Sequence, residues 1–231
     1  MKFIIYESHN NHISMKNKTA IILFCLLSHF AKGQKIVEKH LDFSSNKKIE
    51  LNIQIADSIR IVTWSKNEVY AKASIDINNN KDNDVYITDF DETGSTVDVT
   101  AKFDDTKKDV GYNDSCHCCC NYRSKIYWDV FIPENAPFSV ETIDGNITIE
   151  GKTQQIKAHS ISGFIDLAFA SSRKADLKMS TISGTIYTNV AIGKPSDRHG
   201  ENSINSEYNG GGDRVELETI SGDIFLRKAE E

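Results

Sequence analysis

One pattern is written four times between Phe138 and Leu226, and it constrains the fold more than any other feature of the chain. The copies read FSVETIDGNITI, IKAHSISGFIDL, LKMSTISGTIYT and VELETISGDIFL, starting at Phe138, Ile156, Leu177 and Val215. Each has apolar residues at positions 1 and 3, polar residues at 4 and 5, isoleucine at 6, glycine at 8 and isoleucine at 10. Side chains alternate between the two faces of a strand, so positions 1 and 3 share one face and 6, 8, 10 and 12 share one face. The two polar residues between these sets shift the parity by one, as a bulge or bend does, and let both sets point into one interior.

A unit this small cannot bury its apolar face alone. Stacked in parallel, roughly 4.8 Å apart, the four units give a continuous core column of Ile143, Ile161, Ile182 and Ile220. A second column holds Ile147, Ile165, Ile186 and Ile224. Gly145, Gly163, Gly184 and Gly222 fall where a tight bend or a close backbone approach leaves no room for a Cβ. The copies begin 18, 21 and 38 residues apart, and a period near 20 signals a stacked repeat. The last gap is close to two periods, which leaves room for a degenerate or looped-out rung. The expectation for residues 133–231 is a single-stranded β-solenoid, a β-helix or β-roll of short parallel rungs. Antiparallel hairpins in a sandwich, with Ser-Gly and Asp-Gly as turns, are the competing reading. The unbroken Ile-x-Gly-x-Ile parity favours the solenoid.

Upstream, residues 34–132 read as successive strands. Ile49, Leu51, Ile53 and Ile55 alternate; Ile59 and Ile61 follow; Val69, Ala71, Ala73, Ile75 and Ile77 alternate again. Further strands lie at 85–87 and 97–103, and Ile126, Trp128, Val130 and Ile132 form one face of a strand that ends at Pro133. Pro133 and Pro137 cannot donate to a ladder and mark the boundary between the two regions. No long helical period occurs after the first thirty residues, so the chain reads as all-β, with the N-terminal β region capping or extending the solenoid.

Counted from Met15, which this pattern marks as the true start, Lys16 and Lys18 precede the apolar run Ala20–Leu27. Ala31-Lys32-Gly33 then has the small-x-small form of a cleavage site. Residues 1–33 are therefore read as a signal peptide, too short in its apolar run to span a membrane. The competing reading is a membrane anchor or buried first helix. Removing 1–33 takes away four lysines and one glutamate and moves the formal net charge from −6 to −9. An acidic chain lacks the cationic surface that phosphate contacts require, which excludes nucleic acid as the expected partner.

The polar loop 104–124 carries Cys116, His117, Cys118, Cys119 and Cys120. In an oxidising compartment local disulfides form, for instance Cys116 with Cys119 or Cys120. The C-x-x-C spacing of Cys116 and Cys119 with His117 also suits zinc, although one pentapeptide can hardly supply all four tetrahedral positions. Soft Cu(I), or a thiol contact with another molecule, completes the set of readings.

Equivalent positions of stacked rungs form columns. Position 4 gives Glu141, His159, Ser180 and Glu218; position 5 gives Thr142, Ser160, Thr181 and Thr219; position 7 gives Asp144, Ser162, Ser183 and Ser221. The last two read as outward hydroxyl ladders. Glu141 beside His159, with Asp144 and Asp166 nearby, is the best catalytic constellation available, against a solvated charge pair as the alternative. Glycan hydrolysis needs two carboxylates across a cleft, and adjacent rungs supply no carboxylate column. There is no G-x-S-x-G elbow, phosphate loop or helical zinc motif, and no cofactor is expected.

The ladder ETIDGNITIEG, HSISGFIDLAF, STISGTIYTNV and ETISGDIFLRK, with NGGGDRVEL and the strand WDVFIPENA, resembles the bacterial family of putative adhesins of unknown function, the autotransporter-adhesin-like β-repeat domains. The resemblance runs from about Ile49 to Leu226. It implies an exported protein, periplasmic, on the outer surface or secreted, with a binding or envelope-structural role and an extracellular or envelope ligand, glycan or protein. Catalysis is not expected, and only the structural isoleucines and glycines carry over. The alternatives are a polysaccharide-acting β-helix enzyme and a metal-binding envelope protein using the cysteine cluster.

Overall fold

The computed structural model describes residues 34–107, 123–192 and 202–229, so the leader at 1–33 and the Cys116–Cys120 cluster with His117 lie outside the described residues. The described residues form fifteen strands joined in one hydrogen-bonded sheet: β1 (Lys35–Asp42), β2 (Lys48–Ile53), β3 (Ile55–Trp64), β4 (Glu68–Ile77), β5 (Tyr86–Asp91), β6 (Thr96–Phe103), β7 (Ser124–Pro133), β8 (Phe138–Glu150), β9 (Ile156–Ser162), β10 (Ile165–Phe169), β11 (Ala175–Thr181), β12 (Ile186–Thr188), β13 (Ser203–Tyr208), β14 (Asp213–Ser221) and β15 (Ile224–Lys228). The described residues contain no α-helix.

β8 organises the architecture because its two halves belong to different layers. Its first half pairs with β2 and β9, and its second half with β3 and β10. Layer one then runs β5-β6-β2-β8-β9-β14-β11-β13, and layer two runs β1-β4-β7-β3-β8-β10-β15-β12. Alternation decides which faces meet: in β4, Val69, Ala71, Ala73, Ile75 and Ile77 all point inward and are fully buried. The layers touch directly at both ends. Tyr86 of layer one donates its hydroxyl proton to the Ile55 carbonyl at 2.8 Å and accepts from Trp128 Nε1 of layer two at 3.3 Å. At the other end Tyr208 and Phe169 meet edge to face, 5.2 Å between ring centres. Each fully buried isoleucine, leucine or valine between them stabilises the fold by about 1.5–3 kcal/mol.

Five parallel rungs pass from layer one to layer two. In spatial order they are β2–β3, β8, β9–β10, β14–β15 and β11–β12. This corrects the expectation of a single-stranded, uniformly parallel solenoid in two respects. The sheet is mixed, with antiparallel pairs at β1–β4, β4–β7, β5–β6 and β11–β13. The copies also do not stack in chain order, because the fourth inserts between the second and the third.

Charge favours the inserted rung. Lys157, Glu216 and Lys178 face outward from directly opposed positions on β9, β14 and β11. Stacking in chain order would set Lys157 against Lys178, and like charges directly opposed destabilise a sheet. Insertion places Glu216 between them, where it and Glu218 accept from Lys178 at 2.5 and 2.6 Å.

The degenerate rung for which the last gap leaves room is β13, which runs antiparallel along β11. The glycines that follow form a tight crossover over the start of β11. Asn209, Gly210 and Gly211 all have positive φ, and Asn209 Nδ2 donates to the carbonyls of Ser171 at 3.0 Å and Arg173 at 2.8 Å. A Cβ on Gly212 would lie 2.8 Å from the Lys174 carbonyl oxygen. At the opposite end the N-terminal strands both extend and cap the ladder. β2–β3 supplies a rung in register with β8, with Ile49 opposite Phe138 and Ile59 opposite Ile147, while β1, β4, β5, β6 and β7 close the end.

Candidate binding surface

The functional candidate is the corner where each rung turns from layer one to layer two. The glycines do stack, in the order Gly145, Gly163, Gly222, Gly184, each so close to the preceding carbonyl that a Cβ would collide with it. Beside them the position-5 hydroxyls point inward, not outward. Ser160 donates to the Gly145 carbonyl at 3.3 Å, Thr219 to Gly163 at 3.2 Å and Thr181 to Gly222 at 2.9 Å, while Thr142 reaches the Gln54 carbonyl at 3.2 Å. All four are buried. A buried carbonyl left without a donor is costly, so the short hydroxyl side chain takes the inward place and the parity slips at positions 6 and 7 instead of 4 and 5.

The slip overturns the expected core column. Ile143, Ile161, Ile220 and Ile182 stand on the surface, exposed by 47, 41, 40 and 74% in spatial order. The other isoleucine column behaves as expected in three of its members, with Ile147, Ile165 and Ile224 completely buried; Ile186, on the last rung, is only partly buried. The outer isoleucines form a ridge along the corner, flanked by Asp144, Ser162, Ser221 and Ser183. Around the corner on layer two lie Phe164, Phe225 and Tyr187, with Phe164 edge-on to Phe225 and Tyr187 stacked on Phe225 at 5.2 Å. Five of the eight large apolar side chains exposed among the described residues are the four ridge isoleucines and Tyr187. Contiguous exposed apolar surface rimmed by polar groups marks an interaction site. The sequence signal for it was the invariable Ser or Thr at position 5, which leaves only the next residue to turn outward.

The catalytic candidates are dispersed. Glu141, His159 and Glu218 line up on the outer face of layer one, so the inserted rung gives His159 a carboxylate position on either side. Glu141 is held by Lys157 at 2.9 Å, and this hydrogen bond raises the Lys157 ammonium above its usual range. Glu218 is held by Lys178. Asp166 lies on the opposite outer face, in layer two, where Arg227 binds it at 2.7 Å. Asp144 sits at the corner. A shallow depression of about 330 Å³ over β2 and β8 contains Glu50, Asn52, Ser139, Glu141 and Lys157. Among the described residues no group of three or more His, Cys, Asp or Glu could hold a metal ion, and no helix is long and apolar enough to cross a membrane.

These features define a class: an all-β repeat protein with a close-packed glycine corner and an apolar ridge outside it. No family model matches the chain, and no curated protein matches it. Among solved structures, it is similar to a putative cell adhesion protein from Clostridium sporogenes, at 12% identity and a TM-score of 0.53 over 84% of this chain and 99% of that one. A putative adhesin from Bacteroides fragilis aligns at 9% identity, covering 84% of this chain and 97% of that one with a TM-score of 0.30. The first likeness shows a shared fold.

Proposed function

We propose that this is an exported, adhesin-like binding module of the bacterial cell envelope or exterior, without catalytic activity, that makes contact through the isoleucine ridge. One observation carries the reading: four isoleucines that could have been buried are aligned at the surface by a hydrogen-bonded corner repeated on every rung. The fold shared with the Clostridium protein supports it, as does the basic, apolar, small-x-small pattern of residues 1–33, read as an export leader. On this reading the five parallel rungs are a short β-solenoid closed by antiparallel strands.

A glycan and host-matrix array probed with the purified exported protein tests the proposal. The parent is expected to bind a restricted set of ligands, and the double variant Ile161→Ser/Ile220→Ser to lose that binding while its thermal unfolding shifts little, since both side chains stand at the surface. Equal binding by parent and variant, or no binding across the array, would count against it.

A further inference from the structure

The depression over β2 and β8 differs from the rest of the outer face of layer one. Cross-strand register sets Glu50, Ser139, Lys157, Glu216 and Lys178 in one outward row over β2, β8, β9, β14 and β11. Four of these side chains are long and charged. Ser139 is the short one, and the hollow of about 330 Å³ lies around it, within the size range of small-ligand sites.

Farther along the row the charges satisfy one another, with Lys178 bonded to both Glu216 and Glu218. Around the hollow they do not. Glu50, Asn52, Ser139 and Gln155 line it, and none of their side chains has a hydrogen-bond partner among the described residues. Glu141 accepts from Lys157 at 2.9 Å through Oε1, which leaves its second oxygen and two ammonium protons open to a ligand.

The chemistry of this lining selects its ligand. Its charged members are Lys48 and Lys157 against Glu50 and Glu141, so the formal charges cancel and neither an anion nor a cation is favoured. A carboxylate only accepts and an ammonium only donates, so the Glu141–Lys157 pair is matched by two neighbouring hydroxyls, one donating and the other accepting. Asn52 and Gln155 can do both and complete the rim. Pro137, half-buried, adds an apolar patch, to which the C–H face of a sugar ring is the complement. We infer that the hollow is a saccharide subsite taking one neutral pyranose, with vicinal hydroxyls held by Glu141 and Lys157 and Ser139 as the floor. The inference does not rest on the role of the isoleucine ridge.

The test is an amide-detected NMR titration of the purified exported protein with the methyl glycosides of glucose, galactose, mannose and N-acetylglucosamine. At least one is expected to give saturable shifts centred on residues 50–52, 139–141 and 155–157. Ser139→Leu fills the floor and Asn52→Ala shortens the rim; both side chains point outward, so both variants should melt with the parent. The first should bind at least tenfold more weakly and the second measurably so, while Ile161→Ser/Ile220→Ser binds unchanged. The inference is overturned by no saturable shift with any of the four, by shifts that neither Ser139→Leu nor Asn52→Ala weakens, or by loss of binding in the ridge variant. Equal binding of the open-chain polyol sorbitol, or tighter binding of glucuronate or glucosamine than of glucose, overturns it too, since ring shape or neutrality would then not decide recognition.

Discussion

Gly222→Ala is the substitution that probes the corner most sharply. Gly222 lies between Gly163 and Gly184 in the column, and it has no positive φ, so the perturbation is steric alone. A Cβ there would overlap the Gly163 carbonyl oxygen and lie 2.7 Å from its carbon and 3.3 Å from the Phe164 nitrogen, against the roughly 3.5–4.0 Å of an unstrained carbon contact. The carbonyl cannot retreat freely, because it accepts the Thr219 hydroxyl at 3.2 Å. Either the rungs separate or the corner distorts. Overpacking of this kind costs about 1–3 kcal/mol, and the strained Thr219 bond adds about 1 kcal/mol. In a unit of this size each kcal/mol lowers Tm by about 2–4 °C, so the expected fall is on the order of 10 °C, read by circular dichroism melting. Gly94→Ala, whose Cβ would find nothing closer than 4.0 Å, should melt with the parent. If Gly222→Ala melted with it too, the close-packed corner would be wrong.

Thr219→Val keeps the shape of a buried side chain and leaves the Gly163 carbonyl without its donor; urea unfolding should show a loss of about 1–3 kcal/mol, and no loss would remove the hydroxyl bracket from the account. Ile165→Ala should cost about 2–5 kcal/mol while Ile161→Ala costs a small fraction of that, and equal costs would return Ile161 to the core. Burial raises the Tyr86 phenol to about 12, so the folded state holds the neutral form. Its contribution is complete below the unfolded value near about 10 and is lost as pH rises through the folded one; Tyr86→Phe should be destabilised at neutral pH and lose that alkaline slope. Glu216 is held below the usual carboxylate range, chiefly by the hydrogen bond from Lys178. Its contribution is present above the unfolded value near about 4.3 and is lost as pH falls through the folded one, so Lys178→Met should flatten the acid limb of stability against pH by up to about 1 kcal/mol.

Much of this architecture was legible in the sequence for a physical reason. The Ile147, Ile165 and Ile224 positions and the glycines depend on local parity and backbone clearance, both of which a repeat displays directly. The outer isoleucines were misread because hydropathy alone places Ile143 and Ile161 inside, whereas their orientation is decided by a main-chain carbonyl on the neighbouring rung, Gln54 for Ile143 and Gly145 for Ile161, that needs a hydroxyl. The spatial order of the rungs had a signal that parity does not contain: Lys157, Lys178 and Glu216 share position 2 of their copies, and only insertion of the fourth copy alternates their charges. The rung β2–β3 escaped notice as a repeat because Ala56 stands where the glycine would be and the register shifts between Ile55 and Ser58.

The inserted rung is open to direct observation by nuclear Overhauser contacts across the ladder. Leu217 of β14 lies opposite both Ala158 of β9 and Met179 of β11, so its methyls should show cross-strand contacts to each, while Ala158 and Met179, two strand spacings or roughly 9.6 Å apart, should show none to one another. Direct Ala158–Met179 contacts without Leu217 between them would mean that the copies stack in chain order, contradicting the arrangement described.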